Sequence, residues 1–104
     1  MSKDFFNSIN TILVTGGLGF IGSAYVKKIL ENTNIKIVNI DKEGYASNKE
    51  CIDKCLEKLD SNKLNHYYHY KADLKDFETI NKIIIKSRPD MIVNFAAESH
   101  VDRS

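Results

Sequence analysis

Three evenly spaced glycines follow a short apolar strand near the start of this chain. Residues 11–22 read Thr-Ile-Leu-Val-Thr-Gly-Gly-Leu-Gly-Phe-Ile-Gly, which puts Gly16, Gly19 and Gly22 directly before an amphipathic stretch. A second apolar strand ends at Asp41, about 20 residues further along the chain. Strand, glycine turn, helix, strand and acid in this order predict a βαβ unit that binds a dinucleotide.

Each residue of this pattern has a mechanical role in binding. Gly16 permits a sharp turn off the strand, and Gly19 lets backbone N–H groups approach a pyrophosphate closely. Gly22 lets the helix pack tightly on the sheet, and the helix N-terminus offers unpaired N–H groups to phosphates. The Asp41 carboxylate accepts hydrogen bonds from ribose hydroxyls and repels a 2′-phosphate, so it favours NAD over NADP, although Lys42 softens that repulsion. The alternative is an ordinary glycine turn without a ligand.

The composition indicates one globular domain. A length of 104 residues favours a single domain, with residues 1–10 as an N-terminal tail and residues 11–104 as the folded part. No apolar run reaches the roughly 20 residues that span a bilayer, and the N-terminus lacks the apolar core of a secretory signal. A cytoplasmic location is therefore expected. The net charge of +1 gives no support for a nucleic-acid or membrane surface.

Two cysteines and two nearby histidines raise the question of a metal site. Cys51 and Cys55 are four residues apart, so a helix would put them on neighbouring turns of one face. His66 and His69 do not complete a zinc-binding spacing with them. We therefore predict no metal site and interpret the cysteines as buried or half-buried apolar residues.

Strand and helix signals alternate along the chain. Strands are predicted at residues 12–14, 35–40, 64–72 and 91–95. Helices are predicted to begin near Phe20, after a capping box of Ser47 and Glu50, and after an N-cap at Asp76. Pro89 ends the last helix, because the residue before a proline avoids the helical conformation. The residues of the first helix that are expected to face the sheet are Ile21, Ala24, Ile29 and Leu30.

This alternation predicts an α/β fold, with a parallel sheet and helices on both faces. Right-handed crossovers and the glycine fingerprint together predict the strand order 3-2-1-4. Ligands of such sheets bind beyond the carboxyl ends of the strands, where the strand order reverses. The glycine turn, Asp41, Asp73 and residues 95–99 each follow a predicted strand end. We therefore expect these four segments to converge on one crevice.

The residues at these strand ends resemble the N-terminal part of the extended short-chain dehydrogenase/reductase family. The resemblance is carried by residues 15–23, 39–42, 73–74 and 96–104, and it covers residues 11–104. The glycine motif is common to the superfamily. The run Ala-Ala-Glu-Ser-His-Val-Asp-Arg-Ser at residues 96–104 is typical of the nucleotide-sugar 4,6-dehydratases. More narrowly, the four segments together resemble members that act on dTDP-glucose. The resemblance implies a Rossmann-like, doubly wound sheet that is truncated after its fourth strand.

The resemblance also implies a role in cofactor binding for four sets of residues. The set expected to wrap the NAD pyrophosphate is Gly16, Gly19, Phe20, Ile21 and Gly22. The set expected to hold the adenosine ribose is Asp41, Lys42, Glu43 and Gly44. The pair expected to lie against the adenine is Asp73 and Leu74. The set expected to line the nicotinamide half is Phe95, Ala96, Ala97, Glu98 and Ser99, of which Ser99 also reaches the sugar nucleotide.

Plainer interpretations stay open for several of these residues. Asp73 alternatively caps the following turn, and Glu98 and Ser99 alternatively belong to a solvated loop. Family members tend to have a hydrophobic residue and a threonine where this chain has Glu43 and Gly44. Side-chain contacts at these two positions are therefore expected to differ from those of the family.

The implied reaction is the conversion of dTDP-glucose to dTDP-4-keto-6-deoxyglucose and water. The sugar is oxidised at C4 by hydride transfer to NAD, water is eliminated across C5 and C6, and the hydride returns to C6. The family uses a Tyr-x-x-x-Lys pair, and the match of Tyr67 with Lys71 lies on the predicted third strand, so it is interpreted as chance. We therefore expect no catalytic residue in this chain, which alone binds NAD weakly and turns over no substrate.

The resemblance further implies dTDP-rhamnose biosynthesis as the pathway and a homodimer as the full-length form. Three other functions stay open. One is a different NAD-dependent nucleotide-sugar epimerase, decarboxylase or dehydratase, against most of which residues 96–104 argue. The second is a non-catalytic NAD-binding module, and the third is a remnant that serves protein–protein interaction.

Overall fold

A computed structural model describes residues 9–42, 49–59 and 61–95 of the chain. Strands and helices alternate in it as the sequence predicts. In chain order the elements are β1 (Thr11–Thr15), α1 (Phe20–Asn32), β2 (Lys36–Asp41), α2 (Lys49–Lys58), a 3₁₀ helix (Ser61–His66), β3 (Tyr67–Lys71), α3 (Phe77–Ser87) and β4 (Met91–Asn94).

The four strands form one parallel sheet in the order β3-β2-β1-β4. The predicted order is thus confirmed. Leu13 in the middle of β1 pairs with Val38 on one side and with Ile92 on the other. The strand order reverses between β1 and β4, so their carboxyl ends flank the position where ligands of open parallel sheets bind.

Both faces of the sheet carry apolar clusters, because successive side chains of a strand point to opposite faces. The larger cluster joins β1 and β2 to α1 and α2. Its buried members are Ile9, Ile12, Val14, Leu18, Val26, Ile29, Leu30, Ile35, Ile37 and Ile52. The smaller cluster joins the same strands to α3, and its buried members are Leu13, Val38, Ile40 and Ile83. Burying each such side chain stabilises the fold by about 1.5–3 kcal/mol.

The sheet-facing side of α1 differs in part from the prediction. Ile29 and Leu30 are buried as expected, whereas Ile21 is 57% exposed and Ala24 is exposed. Val26 occupies the buried position instead. The reason is that α1 approaches the sheet through two small buried residues near its start, Gly22 and Ser23, and this sets the helix phase.

The third strand begins later than predicted, at Tyr67 instead of residue 64. The residues before it form the 3₁₀ helix, in which Asn65 has φ −91° and ψ 17°. Ser and Asn compete with regular secondary structure through local hydrogen bonds, and this segment contains three of them, Ser61, Asn62 and Asn65.

The end of the last helix is confirmed at its predicted place. α3 ends at Ser87, and Arg88 takes the left-handed conformation with φ 49° before Pro89. The N–H of Arg88 still donates to the carbonyl oxygen of Ile84 at 2.9 Å. The predicted capping box at Ser47 lies outside the described residues.

The two cysteines lie on α2 as predicted. Cys55 is buried, Cys51 is half-buried, and both are free thiols. Burial, with the Glu31 carboxylate second, raises the pKa of the Cys55 thiol. Within the described ranges, none of the helices combines the length and the apolar character that crossing a bilayer requires.

Candidate functional site

The chain leaves β1 through a turn that backbone hydrogen bonds hold in place. Gly16 has φ 77°, a left-handed conformation that favours glycine, and its N–H donates to the carbonyl oxygen of Ile40 at 2.9 Å. The N–H of Gly19 donates to the carbonyl oxygen of Gly16 at 3.2 Å, and that of Ser23 donates to Gly19 at 2.9 Å. The turn is therefore tied to β2 at one end and to α1 at the other.

Gly22 is the point where α1 touches this turn. A Cβ added there would overlap the carbonyl oxygen of Gly16 and would lie 3.0 Å from the Cα of Gly17. Because both obstacles are backbone atoms, no side-chain movement can relieve the overlap. Gly22 thus holds the start of the helix against the turn. The sequence predicted close packing of the helix on the sheet at this glycine, and the close contact is instead with the backbone of the turn.

The N-terminus of α1 is left open within this described segment. Gly19 is its N-cap, in an extended conformation with φ −73° and ψ 175°, and it has no side chain with which to accept the N–H groups of the first turn. That turn contains no acidic residue, and the side chain of Phe20 is 84% exposed beside it. Open N–H groups and the helix dipole together suit an anion such as a phosphate.

Two side chains of β2 accept hydrogen bonds from successive N–H groups of the turn. The N–H of Gly17 donates to Asn39 Oδ1 at 2.9 Å, and the N–H of Leu18 donates to Asp41 Oδ2 at 3.0 Å. Residues 39 and 41 share one face of the strand because side chains alternate. The carboxylate predicted for the ribose thus lies directly against the glycine turn.

Asn39 is a residue to which sequence reasoning gave no role. It is fully buried, and it bonds both to the turn and to β3. A sequence signal for it does exist, since it is the polar residue inside a strand whose neighbours Ile37, Val38 and Ile40 are apolar.

The carboxyl end of β3 lies beside that of β2, because the N–H of Ala72 donates to the carbonyl oxygen of Asp41 at 3.1 Å. Asp73 follows it and is exposed, and its carboxylate accepts the N–H of Lys75 at 3.0 Å. Asp73 therefore caps its own turn, which was the plainer interpretation, and Leu74 packs against the smaller apolar cluster. Contact of either residue with an adenine stays a prediction.

The carboxyl ends of β1 and β4 are tied together. The N–H of Phe95 donates to the carbonyl oxygen of Thr15 at 2.7 Å, and the Thr15 hydroxyl donates to Asn94 Oδ1. The ring of Phe95 packs on that of Tyr25 in α1, with centroids 5.4 Å apart and planes tilted by 56°. Burial raises the pKa of the Tyr25 phenol above its ordinary value. Phe95 is thereby held next to Thr15, the residue that precedes the glycine turn.

The structure brings the glycine turn, the start of α1 and Asp41 together at one edge of the sheet. Lys42 directly follows Asp41 there and is exposed. The predicted residues that lie outside the described part of the chain are Glu43, Gly44, Ala96, Ala97, Glu98 and Ser99. Among the described residues, no three His, Cys, Asp or Glu side chains are grouped as a metal ion requires.

Residues 13–104 match the family model described as GDP-mannose 4,6 dehydratase. The chain is 46% identical over 93 residues to dTDP-glucose 4,6-dehydratase of Salmonella typhimurium, a match that covers 89% of this chain and 24% of that protein. It is 44% identical over 93 residues to dTDP-glucose 4,6-dehydratase 1 of Escherichia coli K12, with coverages of 89% and 24%. The chain therefore spans about a quarter of the length of these relatives.

Two solved structures share the fold. A crystal structure of dTDP-glucose 4,6-dehydratase from Bacillus anthracis in complex with NAD matches with a TM-score of 0.73 at 35% identity, covering 86% of this chain and 27% of that one. A dTDP-glucose 4,6-dehydratase from Streptomyces venezuelae with NAD and TYD bound matches with a TM-score of 0.69 at 32% identity, covering 90% and 28%. These matches confirm the predicted Rossmann-like sheet and the resemblance of the chain to the nucleotide-sugar 4,6-dehydratases.

Proposed function

This chain belongs to the GDP-mannose 4,6 dehydratase family, and we propose that it forms the NAD-binding part of a nucleotide-sugar 4,6-dehydratase. The observation that carries the proposal is the turn after β1, whose consecutive N–H groups bond to Asn39 and Asp41 beside the uncapped start of α1. A glycine turn, an open helix N-terminus and a carboxylate on the next strand are the parts that a dinucleotide site needs.

The pyrophosphate of NAD fits the start of α1. The first turn of the helix has N–H groups that its N-cap cannot accept, and it carries no acid to repel a phosphate. The close contact at Gly22 keeps the turn and the helix together, so these donors are held in place before any ligand arrives. In this proposal the pyrophosphate residues are Gly16, Gly19, Phe20, Ile21 and Gly22.

The adenosine half of NAD belongs beside the carboxyl ends of β2 and β3. The Asp41 carboxylate accepts ribose hydroxyls, and its negative charge opposes the 2′-phosphate of NADP. The bond from the Leu18 N–H holds this carboxylate next to the pyrophosphate position. The remaining residues assigned to the ribose and the adenine are Lys42, Glu43, Gly44, Asp73 and Leu74.

The nicotinamide half belongs beside the end of β4. Phe95 is anchored to Thr15 and Tyr25, which supports a cofactor-lining role for the segment that it begins. The residues assigned to this role are Phe95, Ala96, Ala97, Glu98 and Ser99, with Ser99 also assigned to the sugar nucleotide. NAD, when bound, supplies the hydride acceptor for oxidation of the sugar and later returns the hydride.

The substrate that we propose is dTDP-glucose, with dTDP-4-keto-6-deoxyglucose and water as products. Identities of 46% and 44% to proteins named dTDP-glucose 4,6-dehydratase support this assignment. We assign the protein to the cytoplasm and to dTDP-rhamnose biosynthesis, and its full-length form to a homodimer. No described residue is assigned a catalytic role.

Titration of the purified protein with NAD and NADP tests the binding step. We expect saturable NAD binding and NADP binding that is at least about tenfold weaker, because Asp41 repels the 2′-phosphate. Asp41→Asn is the matched variant, since it removes the charge and keeps the size of the side chain. It should narrow the difference between the NAD and NADP affinities. Equal affinity of the wild type for both nucleotides contradicts the ribose assignment, and absence of NAD binding contradicts the proposed function.

A segment exchange tests the reaction. The 93 matched residues replace the corresponding segment of the Salmonella typhimurium enzyme, and dTDP-glucose, UDP-glucose and GDP-mannose are offered to the chimera. We expect NAD-dependent formation of a 4-keto product from dTDP-glucose, and no product from the chain of 104 residues alone. A folded chimera that binds NAD but leaves dTDP-glucose unchanged contradicts the substrate assignment. Turnover of dTDP-glucose by the chain of 104 residues alone contradicts the expectation that it holds no catalytic residue.

A further inference from the structure

Asn39 is a fully buried polar side chain in the middle of the sheet. Burying an amide costs free energy unless its polar atoms find hydrogen-bond partners. Its Oδ1 accepts the N–H of Gly17 at 2.9 Å, and its Nδ2 lies 3.4 Å from the Tyr67 hydroxyl and 3.2 Å from His69 Nδ1. The side chain therefore joins the glycine turn to β3 through β2.

The turn fixes the direction of these bonds. A backbone N–H only donates, so the amide oxygen of Asn39 must face Gly17 and its NH₂ group must face β3. The NH₂ group also only donates, so His69 Nδ1 and the Tyr67 oxygen act as acceptors. Asn39 is consequently held in one orientation from both sides, with its oxygen aimed at the turn.

Gly17 and Asn39 also restrict each other sterically. A Cβ added to Gly17 would overlap Asn39 Oδ1 and come within 3.2 Å of Asn39 Nδ2. Among the described glycines, positive φ is found at Gly16 and not at Gly17, so an alanine at position 17 meets no left-handed strain. The conflict that alanine would create is therefore with the Asn39 side chain.

We propose that Asn39 is a positioning residue for NAD, which fixes the glycine turn so that the start of α1 faces the pyrophosphate. The inference rests on the proposed function. Asn39 anchors the N–H of Gly17, and Asp41, two residues further along β2, anchors the N–H of Leu18. Loss of the first anchor lets the turn move away from the phosphate position, although Asn39 itself is buried and touches no ligand.

NAD titration of Asn39→Ala against Val38→Ala tests the proposal. Val38 is the buried neighbour on the opposite face of β2, so its truncation destabilises the sheet without touching the turn. We expect Asn39→Ala to weaken NAD binding at least about tenfold, and Val38→Ala to leave the affinity of the folded fraction within about twofold. Equal affinities of wild type and Asn39→Ala overturn the proposal, as do equal losses in both variants.

Amide hydrogen exchange provides a measurement that needs no ligand. We expect the Gly17 N–H to exchange faster in Asn39→Ala and at the wild-type rate in Val38→Ala, once global stability is taken into account. Unchanged exchange in Asn39→Ala overturns the proposal even where NAD is not bound. Wild-type protein that binds no NAD contradicts the proposed function, and wild-type binding with an unaffected Asn39→Ala contradicts the inference alone.

A second variant, Gly17→Ala, tests the proposal if Asn39→Ala does not fold. Gly17→Ala leaves the buried amide in place and forces the turn away from it, so it must weaken NAD binding at least about tenfold. In the double variant Gly17→Ala/Asn39→Ala the obstructing oxygen is gone, and we expect NAD to bind several times more tightly than in Gly17→Ala. Unchanged binding in Gly17→Ala, or losses that add up in the double variant, overturn the proposal.

Discussion

The helices α1 and α3 both follow a strand at the carboxyl edge of the sheet, but they begin in opposite ways. α3 begins after Asp76, whose carboxylate accepts the N–H of Thr79 at 3.3 Å and the Thr79 hydroxyl at 2.8 Å, and Glu78 lies in its first turn. α1 begins after Gly19, which has no side chain to accept, and no acid lies in its first turn. One helix start is closed by its own residues and the other is open to an anion.

The different starts of the two helices affect stability and anion binding in opposite ways. A side-chain cap stabilises a helix by about 1 kcal/mol, so the open start of α1 gives up that contribution. The two starts also lie on opposite faces of the sheet, because α3 packs against the smaller apolar cluster and α1 against the larger one. An anion at α1 therefore replaces a cap without involving α3. The two helix starts can be changed independently.

The largest effect is expected where α1 touches the turn. Gly22→Ala would force a Cβ against the backbone of Gly16, so we expect the free energy of unfolding to fall by about 1–3 kcal/mol and NAD binding to be lost with it. Denaturant unfolding and NAD titration measure the two effects. The control is Ala24→Gly at an exposed position of the same helix, which costs about 1 kcal/mol and should leave NAD affinity unchanged.

The next effect comes from giving α1 the cap that α3 has. Gly19→Asp is compatible with the extended backbone at this position, so we expect stability to stay equal or to rise by up to about 1 kcal/mol. NAD affinity should fall at least about tenfold, because a carboxylate occupies the donors and repels the pyrophosphate. Thermal unfolding should therefore show an equal or higher melting temperature, while NAD titration shows weaker binding.

Gly19→Asn separates the two causes of that loss. The amide caps the helix about as well as a carboxylate but carries no charge, so it should weaken NAD binding less than Gly19→Asp does. Equal NAD affinity in wild type and Gly19→Asp would contradict the difference between the two helix starts, since α1 would then not be where the phosphate binds.

The reciprocal change removes the cap of α3. Asp76→Ala should lower the free energy of unfolding by about 0.5–2 kcal/mol, because the N–H of Thr79 loses its acceptor. NAD affinity should stay unchanged, since α3 lies on the other face of the sheet. Asp76→Asn keeps an accepting oxygen and serves as the control with near wild-type stability. A drop in NAD affinity in Asp76→Ala would contradict the independence of the two helix starts.

The features that the sequence predicted well are those that depend on local chemistry. Asp76 was predicted as an N-cap and Pro89 as the stop of the same helix, because capping and proline sterics act within a few residues. The strand order followed from the right-handed crossovers together with the dinucleotide-binding fingerprint. Residues 64–66 were wrongly assigned to the third strand because one apolar residue, Leu64, extended the strand pattern into a segment rich in Asn and Ser.

The details that the sequence could not supply depend on which elements touch. Helical spacing alone did not reveal that α1 approaches the sheet through Gly22 and Ser23, and so Ile21 and Ala24 were assigned to the wrong side. The position of the glycine turn beside Asp41 could be predicted because the chemistry of a dinucleotide demands both, and their contact with NAD stays a prediction. A polar residue inside an apolar strand marks Asn39, but its role could not be predicted, because that role depends on Gly17 lying opposite it, a contact between residues far apart in sequence.

The smallest effect is expected at Asp90, a carboxylate at the amino edge of the sheet that accepts backbone N–H groups as Asp76 does. Its Oδ2 accepts the N–H of Asn10 at 2.8 Å and that of Thr11 at 3.1 Å, and these bonds lower the pKa of Asp90 below its ordinary value of 3.8. A lowered folded-state pKa means that the stabilisation is present above the unfolded-state pKa. It is lost as the pH falls through the folded-state value.

Thermal unfolding of wild type and Asp90→Asn between pH 7 and pH 2 tests this contribution. We expect the wild type to be slightly more stable at pH 7, and the difference to shrink as the pH falls below about 4. NAD affinity at pH 7 should be the same in both, since the amino edge is remote from the glycine turn. A stability difference that persists unchanged at pH 2 would mean that shape, and not charge, carries the contribution of Asp90. Carboxylates that accept backbone N–H groups would then stabilise this fold through hydrogen bonding and not through their charge. The start of α1 would differ from the start of α3 only because no side chain accepts its N–H groups.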